Sequence, residues 1–295
     1  MVVRHLLLIV VIAVATACGR FGNQADSTAA VRAVVIAQVY NEIIWALGAQ
    51  DQVVGVDYSS TWPPEVRKMT TVGYHRALSA EGILSLKPTV IIHDNNIGPP
   101  AVVEQLTKLN VPMKTFEAKN NSIDGAKALI REIGAYFHKE ARAEELCAKL
   151  DADMARAFEE AKQYTDRPRV AVIHYGRASN VYMLVGASGQ GDAGGAGRMV
   201  QWAGGEMAIQ QAGMQRMTSP EIVAQANPDI ILMTEFGYDR LDGSKDRIFE
   251  LPGVSTSNAA KNGKIYRVEE HDLMYLGPST GEGLSRLIKL IHQGR

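Results

Sequence analysis

Short apolar runs rich in β-branched residues alternate along this chain with longer stretches whose apolar positions recur at helical spacing. Early on, Val34 to Val39 and Val53 to Val56 read as strands, Asn41 to Leu47 as the helix between them, and Ala101 to Leu109 as a further helix. Later the pattern returns: Val170 to His174 reads as a strand, Arg198 to Ala203 as a helix and Asn262 to Val268 as a late strand. Short strands alternating with helices predict mostly parallel sheets covered on both faces, an α/β fold.

A repeat organises this alternation into two lobes. Ser79-Ala80-Glu81-Gly82-Ile83 leads through Lys87-Pro88 to Val90-Ile91-Ile92, and Ser219-Pro220-Glu221-Ile222-Val223 leads through Asn227-Pro228 to Ile230-Ile231-Leu232, each position matching at an offset of 140 residues. In both copies Ser stands where a helix N-cap is expected, Glu falls in the first turn, and Pro stops the helix before a strand. A looser echo relates Trp45-Ala46-Leu47-Gly48 to Trp202-Ala203-Gly204-Gly205, two helix ends closed by glycine.

Between the lobes, Ser122 to Tyr164 holds neither Pro nor a strand-like run. Leu146, Leu150, Met154, Ala157 and Phe158 at helical spacing predict one long helix over Arg142 to Tyr164, stiff enough to act as a strut. The expected domains are therefore an N-terminal α/β lobe over 31–121, a helical linker over 122–165 and a C-terminal α/β lobe over 166–295.

Before them stands an address. Arg4 and His5 precede an apolar run from Leu6 to Ala15, too short to span a bilayer, followed by Thr16, Ala17 and Cys18. This pattern predicts a signal peptide over 1–17. Ala15-Thr16-Ala17 fits an ordinary cleavage site, while Cys18 directly after small residues also resembles a lipobox, whose cysteine is a lipid anchor. Residues 18–30 are small and polar, as a tether would be. With Cys18 so used, Cys147 has no bridging partner. The expected location is periplasmic or otherwise extracytoplasmic.

Composition narrows the partners. With 31 Lys plus Arg against 32 Asp plus Glu, the 295-residue chain has no basic excess with which to track nucleic acid. No P-loop GK[ST], G-x-S-x-G or HExxH occurs.

The segment Gly73-Tyr74-His75-Arg76-Ala77-Leu78-Ser79-Ala80-Glu81-Gly82, with the Lys-Pro-x-Val-Ile-Ile unit and the two-lobed plan, resembles the substrate-binding proteins of ABC importers for cobalamin, ferric siderophores and haem, and within them the periplasmic haem-binding branch. The resemblance implies a class III periplasmic binding protein: two Rossmann-like lobes with parallel sheets joined by a long rigid helix, catalysing no reaction. It further implies ferric haem b as the transported ligand, Tyr74 as axial ligand of the haem iron, and an ABC permease that docks on Glu81 and Glu221.

The residues suit that chemistry. A phenolate oxygen is a fit ligand for hard ferric iron, and a nearby cation stabilises it. Arg76 supplies that cation if the loop is extended, where residues i and i+2 share a face, and His75 then points away from Tyr74, either into solvent or toward groups that support the site. On the opposing lobe His174 and Tyr175 are candidates for a distal contact, and Arg177 for a propionate, which a guanidinium grips in bidentate fashion. Tyr58, Trp62, Tyr182, Met183 and Tyr238, with His271 and Tyr275 as weaker candidates, would wall the porphyrin.

Competing readings come from other residues. A ferric siderophore or cobalamin binder of the same family remains open. A transition-metal binder would use His93, His174 and His271 with Asp94. Gly189-Gln190-Gly191-Asp192-Ala193-Gly194 spells a dinucleotide-binding G-x-G-x-x-G after a possible strand, Val181 to Val185, but lacks a convincing acidic partner about 20 residues on.

Overall fold

The computed structural model describes residues 31–177, 180–184, 195–210, 214–217 and 219–293. The leader, Cys18, the tether and the G-x-G-x-x-G segment lie outside the described residues.

The chain opens with β1 (Ala33–Ile36), α1 (Gln38–Ala46), β2 (Val53–Val56), the short hairpin β3 (Gly73–Tyr74) and β4 (Ala77–Leu78), α2 (Ala80–Ser85), β5 (Val90–His93), α3 (Pro100–Lys108) and β6 (Met113–Lys114). Two helices follow, α4 (Ile123–Tyr136) and α5 (Glu140–Ala161). Then come β7 (Arg169–Arg177), β8 (Asn180–Leu184), α6 (Gly195–Trp202), β9 (Glu206–Met207), β10 (Met214–Met217), α7 (Pro220–Ala226), β11 (Ile230–Thr234), α8 (Glu235–Arg240), α9 (Lys245–Phe249), α10 (Asn258–Lys261), β12 (Ile265–Val268), α11 (Glu270–Met274) and α12 (Thr280–His292).

Two sheets result. The first, in the order β2-β1-β5-β6, is parallel throughout. In the second, β7, β11 and β12 run parallel and β9 joins β7 in parallel, while β8 pairs antiparallel with β7 on the side away from β11 and β10 pairs antiparallel with β8. The β8 strand is thus a hairpin partner, not the parallel strand that opens a dinucleotide-binding unit.

The 140-residue repeat is real in three dimensions. Ser79 and Ser219 are the N-cap residues of α2 and α7, and the residues before the two prolines, Lys87 (φ 47°) and Asn227 (φ 37°), both adopt the left-handed conformation. That conformation ends each helix and, with the proline, turns the chain into β5 or β11. Only Ser79 caps with its side chain, accepting from Gly82 N–H at 3.1 Å; the Ser219 hydroxyl donates instead to the Glu221 carboxylate. Gly48 (φ 71°) and Gly204 (φ 84°) close α1 and α6 as their sequence echo predicts.

The linker departs from expectation. It is two helices, broken at His138 (φ 55°), with α4 capped by Ser122, which accepts from Gly125 N–H at 3.0 Å. The long helix begins two residues earlier and stops three residues sooner than its pattern suggested. Leu146, Leu150, Met154 and Ala157 of α5 are buried in one apolar core that also takes in Val35 and Ile92 of the first sheet, Val172 and Leu232 of the second, and Leu284 and Ile288 of α12. The linker helix α5 is therefore packed into both lobes.

Strand ends also moved. β1 stops at Ile36 because Ala37, with extended backbone, is the N-cap residue of α1, so the β-branched Val39 is helical and buried. β7 runs on to Arg177, because β8 supplies a hydrogen-bonding partner there that the strand's own sequence does not reveal.

Candidate functional site

The N-terminal half of the site is the β3–β4 hairpin. Gly73 pairs with Leu78 and Tyr74 with Ala77, leaving His75 and Arg76 as the loop. Gly73 has φ +105°, and a Cβ there would stand 2.8 Å from the Ala77 carbonyl oxygen, so this position requires glycine. Tyr58 N–H donates to Gly73 O at 2.8 Å, Leu78 N–H to Gly98 O at 3.0 Å and Gly98 N–H to His75 O at 2.8 Å. These bonds anchor the hairpin beside the carboxyl ends of β2 and β5, where ligands bind in parallel α/β sheets. Tyr74 and Tyr58, 45% and 64% exposed, are left open to solvent, and the Tyr58 backbone is bonded to the residue before Tyr74.

Because the loop turns instead of extending, the expected roles of its neighbours change. Arg76 donates from Nε to Asn96 Oδ1 at 3.0 Å, and it is the His75 ring that lies against Tyr74, with centroids 4.1 Å apart. His75 Nδ1 lies 2.9 Å from Ser59 Oγ and 3.7 Å from Asp57 Oδ2. Asp57 is buried and accepts from Ser59 N–H (3.0 Å), from the Ser59 hydroxyl, and from the Ser60 hydroxyl (2.6 Å), which in turn accepts from Asn41 Nδ2 at 2.8 Å. Burial pushes the Asp57 carboxyl up, but the bonds from His75, Ser59 and Ser60 outweigh it and hold it below the usual carboxylate range. A buried anion thus fixes the histidine that packs on Tyr74. Sequence reading missed this chain of contacts, although Asp57-Tyr58-Ser59-Ser60 directly follows a strand and is rich in loop hydrogen-bonders.

Across from it, β7 carries an irregularity in its pairing with β8 between Ile173 and Tyr175. A bulge re-aims side chains: the rings of His174 and Tyr175 lie 5.5 Å apart, although neighbours on a regular strand point to opposite faces. His174 is held tightly, stacked on Phe236 at 4.9 Å with Nδ1 3.1 Å from Glu270 Oε2. Tyr175 stacks on Tyr182 at 4.4 Å. Burial and the Tyr182 hydroxyl raise the Tyr175 phenol above its ordinary pKa, against the pull of Arg177 and Arg240. Gly237 lets α8 lie against this strand, since a Cβ there would stand 2.8 Å from Tyr175 Cα.

Three expected wall residues are placed otherwise. Met183 alternates inward from Tyr182 and is buried in the second core cluster with Ala171 and Ile173. Tyr238 packs against that same cluster on the far side of α8 from Phe236. Trp62 stacks on His271, at 4.8 Å and 13° between planes, and so joins the lobes. Beside that stack Glu42 Oε1 accepts from Ser279 N–H (2.9 Å) and Oγ–H (2.7 Å), and His271 Nε2 lies 2.8 Å from the same hydroxyl. Glu42 Oε2 and His271 Nδ1 are buried without a hydrogen-bond partner among the described residues. Arg67 and Glu269, 3.6 Å apart, add a further interlobe pair. Tyr275 packs against the first core cluster, and burial, then the carboxylates of Glu270, Asp57 and Asp94, keep its phenol well above the ordinary range and hence neutral.

The histidines of the metal reading do not converge. His93 accepts from Asn95 N–H at 3.1 Å, and burial lowers its pKa despite Asp94; His174 and His271 have the separate partners given above. Among the described residues, no group of three or more His, Cys, Asp or Glu is arranged to hold a metal ion. Glu81 and Glu221 are exposed in the first turns of α2 and α7. Among the described residues Cys147 is buried and forms no disulfide, and no helix is long and apolar enough to cross a membrane.

Residues 34–271 match the model of the family described as "Periplasmic binding protein". The chain belongs to this family. The solved "Periplasmic heme-binding protein RhuT" from Roseiflexus sp. RS-1 superposes with a TM-score of 0.79 at 31% identity, covering 89% of this chain and 98% of that one. An uncharacterised ABC transporter substrate-binding lipoprotein, YvrC of Bacillus subtilis strain 168, is 28% identical over 85% of this chain and 76% of its own. The vitamin B12-binding protein of Pectobacterium carotovorum subsp. carotovorum strain PC1 is 27% identical over 42% of this chain and 45% of its own. The chain therefore has the class III periplasmic binding protein fold and is a substrate-binding protein of the ABC-transporter type, not an enzyme.

Proposed function

We propose that this periplasmic binding protein captures ferric haem between its lobes and hands it to an ABC permease. The observation that carries the reading is the hairpin: Gly73 and the bonds from Tyr58, Leu78 and Gly98 hold Tyr74 exposed at the carboxyl edge of the first sheet, with Tyr58 also exposed. Exposed aromatics clustered at such an edge suit a flat apolar ligand, and a phenolate suits ferric iron. His75, pinned by Ser59 and Asp57, takes over the supporting role first expected of Arg76. On the other lobe the stacked pair Tyr175–Tyr182 offers a second flat wall, and Tyr175 is the better distal contact because His174 is already engaged by Glu270 and Phe236. RhuT, named as heme-binding, supports the same cargo.

In this reading Glu81 and Glu221 present one exposed carboxylate per lobe to arginines of the permease, and Cys18 anchors the mature chain. The relatives named as vitamin B12-binding make cobalamin the alternative cargo.

The test is a spectrophotometric titration of purified mature protein with hemin and, separately, with cyanocobalamin. A saturable ferric Soret band that Tyr74→Ala abolishes or shifts is the expected result. Absence of a band in the wild type, or an identical band in the variant, would overturn the assignment, and saturable binding of cobalamin alone would replace it.

A further inference from the structure

The contact that joins Glu42 and Trp62 of one lobe to Ser279 and His271 of the other serves no step of ligand capture described so far. Its hydrogen bonds fix where the protons sit. The Ser279 hydroxyl has a single hydrogen, and the Glu42 carboxylate, 2.7 Å away, accepts it. His271 Nε2 lies 2.8 Å from the same oxygen and is therefore the N–H donor, which in the neutral ring leaves the lone pair on Nδ1. Glu42 and His271 are each 4% exposed, and neither Glu42 Oε2 nor His271 Nδ1 has a hydrogen-bond partner among the described residues.

A buried carboxylate is ordinarily balanced by a cation. The cations around this one are engaged elsewhere. Arg142 of α5 pairs with Glu145 at 2.8 Å and donates to Ala46 O at 3.1 Å, and Lys149 of α5 pairs at 2.5 Å with both Asp153 and Glu282 of α12. On α11, Asp272 is held by Arg286 of α12 at 2.6 Å and Glu270 faces His174 at 3.1 Å, while Glu269 lies against Arg267 and Arg67. Thr61-Trp62-Pro63 brings no charge, Asp57 behind it faces His75 and two serines, and burial keeps the Tyr275 phenol neutral. The unmatched charge is that of Glu42, and His271, with Nε2 3.6 Å from Oε1, is the group placed to match it.

We infer that Glu42, Ser279, His271 and Trp62 form a proton-operated clasp between the lobes. A proton taken up at His271 Nδ1 turns the imidazole into a cation while Nε2–H stays on Ser279. Both partners from the first lobe then hold it more tightly. Glu42 attracts it directly, and Trp62 gains a cation–aromatic contact through rings already stacked 4.8 Å apart. A cavity of about 360 Å³ between α1, α5 and the start of α12 is lined by Glu42, Trp62 and Ser279, which gives water and protons a way to the group. Because the proton is bound more tightly when the lobes are clasped, acid favours the clasped state and rising pH relaxes it. Histidine is the side chain whose charge changes between about pH 5 and 8. The added Nδ1–H finds no acceptor in its buried position, which limits the gain to about ten-fold.

The Ser279 amide is the reporter, because its N–H donates across the lobes to Glu42 Oε1 at 2.9 Å. Its hydrogen exchange, followed by NMR in the mature apo-protein and divided by the intrinsic rate at each pH, measures how often the clasp opens. Protection is expected to be about ten-fold greater at about pH 5.5 than at about pH 7.5, and this gain should vanish in His271→Gln and in Glu42→Gln. Trp62→Leu should retain only part of it. The His271 Cε1–H resonance should move over the same pH interval. Equal protection at both pH values, a gain that survives in His271→Gln, or a ring signal that stays fixed would overturn the clasp. The same gain at amides within α1 would mark a change in overall stability and sink it as well. If His271→Gln does not fold, the wild-type protection and ring signal decide the matter. No readout involves haem, so failure of the clasp and failure of the cargo reading are separate results.

Discussion

Asp57→Ala is the sharpest probe of how the N-terminal half of the site is held. Asp57 is 1% exposed and accepts from Ser59 N–H, Ser59 O–H and Ser60 O–H, with His75 Nδ1 3.7 Å away. A hydrogen bond to a charged group contributes about 1.5–3 kcal/mol net, and bonds sharing one acceptor do not add fully, so the loss is expected to be about 3 kcal/mol at pH 7. Asp57→Asn, which keeps the volume and one acceptor oxygen, should cost about half as much. The carboxyl titrates lower in the folded chain than in the unfolded one, where its pKa is about 3.9. Its contribution is therefore complete above that value and is lost as pH falls through the folded value below it. Urea unfolding followed by circular dichroism from pH 7 down to pH 3 measures this directly. The gap between wild type and Asp57→Ala should be constant down to about pH 4 and then narrow. A loss under about 1 kcal/mol at pH 7, or a gap that persists unchanged to pH 3, would refute a charged carboxylate as organiser of the loop.

Two further expectations follow. In Gly281→Ala a Cβ at the start of α12 would stand 2.5 Å from Asp153 Cβ and 2.7 Å from Met154 N of α5, so the variant should lose about 2 kcal/mol and several degrees of Tm by calorimetry; an unchanged Tm would disprove the close helix approach. Reversing both exposed carboxylates, Glu81→Lys with Glu221→Lys, should reduce stimulation of the permease ATPase in proteoliposomes about ten-fold while hemin titration is unaffected, and full stimulation would remove these residues from docking.

Much of the fold was legible along the chain because it is written in neighbouring residues. The Ser-x-Glu start, the proline two residues before each β-branched run, and the glycines that end α1 and α6 are local instructions, and all of them appear in the structure at the expected places. Boundaries were less legible where a distant strand decided them. β7 extends through Tyr175 and Arg177 because β8 pairs with it, and Val39 leaves the strand because the chain turns into α1 to cover the sheet.

By itself, then, the sequence determined two α/β lobes, their repeat and the helical linker, since propensity, capping and periodicity act over a few residues. Only the tertiary structure decided which side chains meet. It put His75 rather than Arg76 against Tyr74, turned Met183 into the core, gave Trp62 to His271 and brought Arg240 of α8 close to Tyr175 of β7. Such pairings depend on packing between segments far apart in the chain, where the direction of one side chain is set by the volume and charge of another. Local sequence holds no record of that choice.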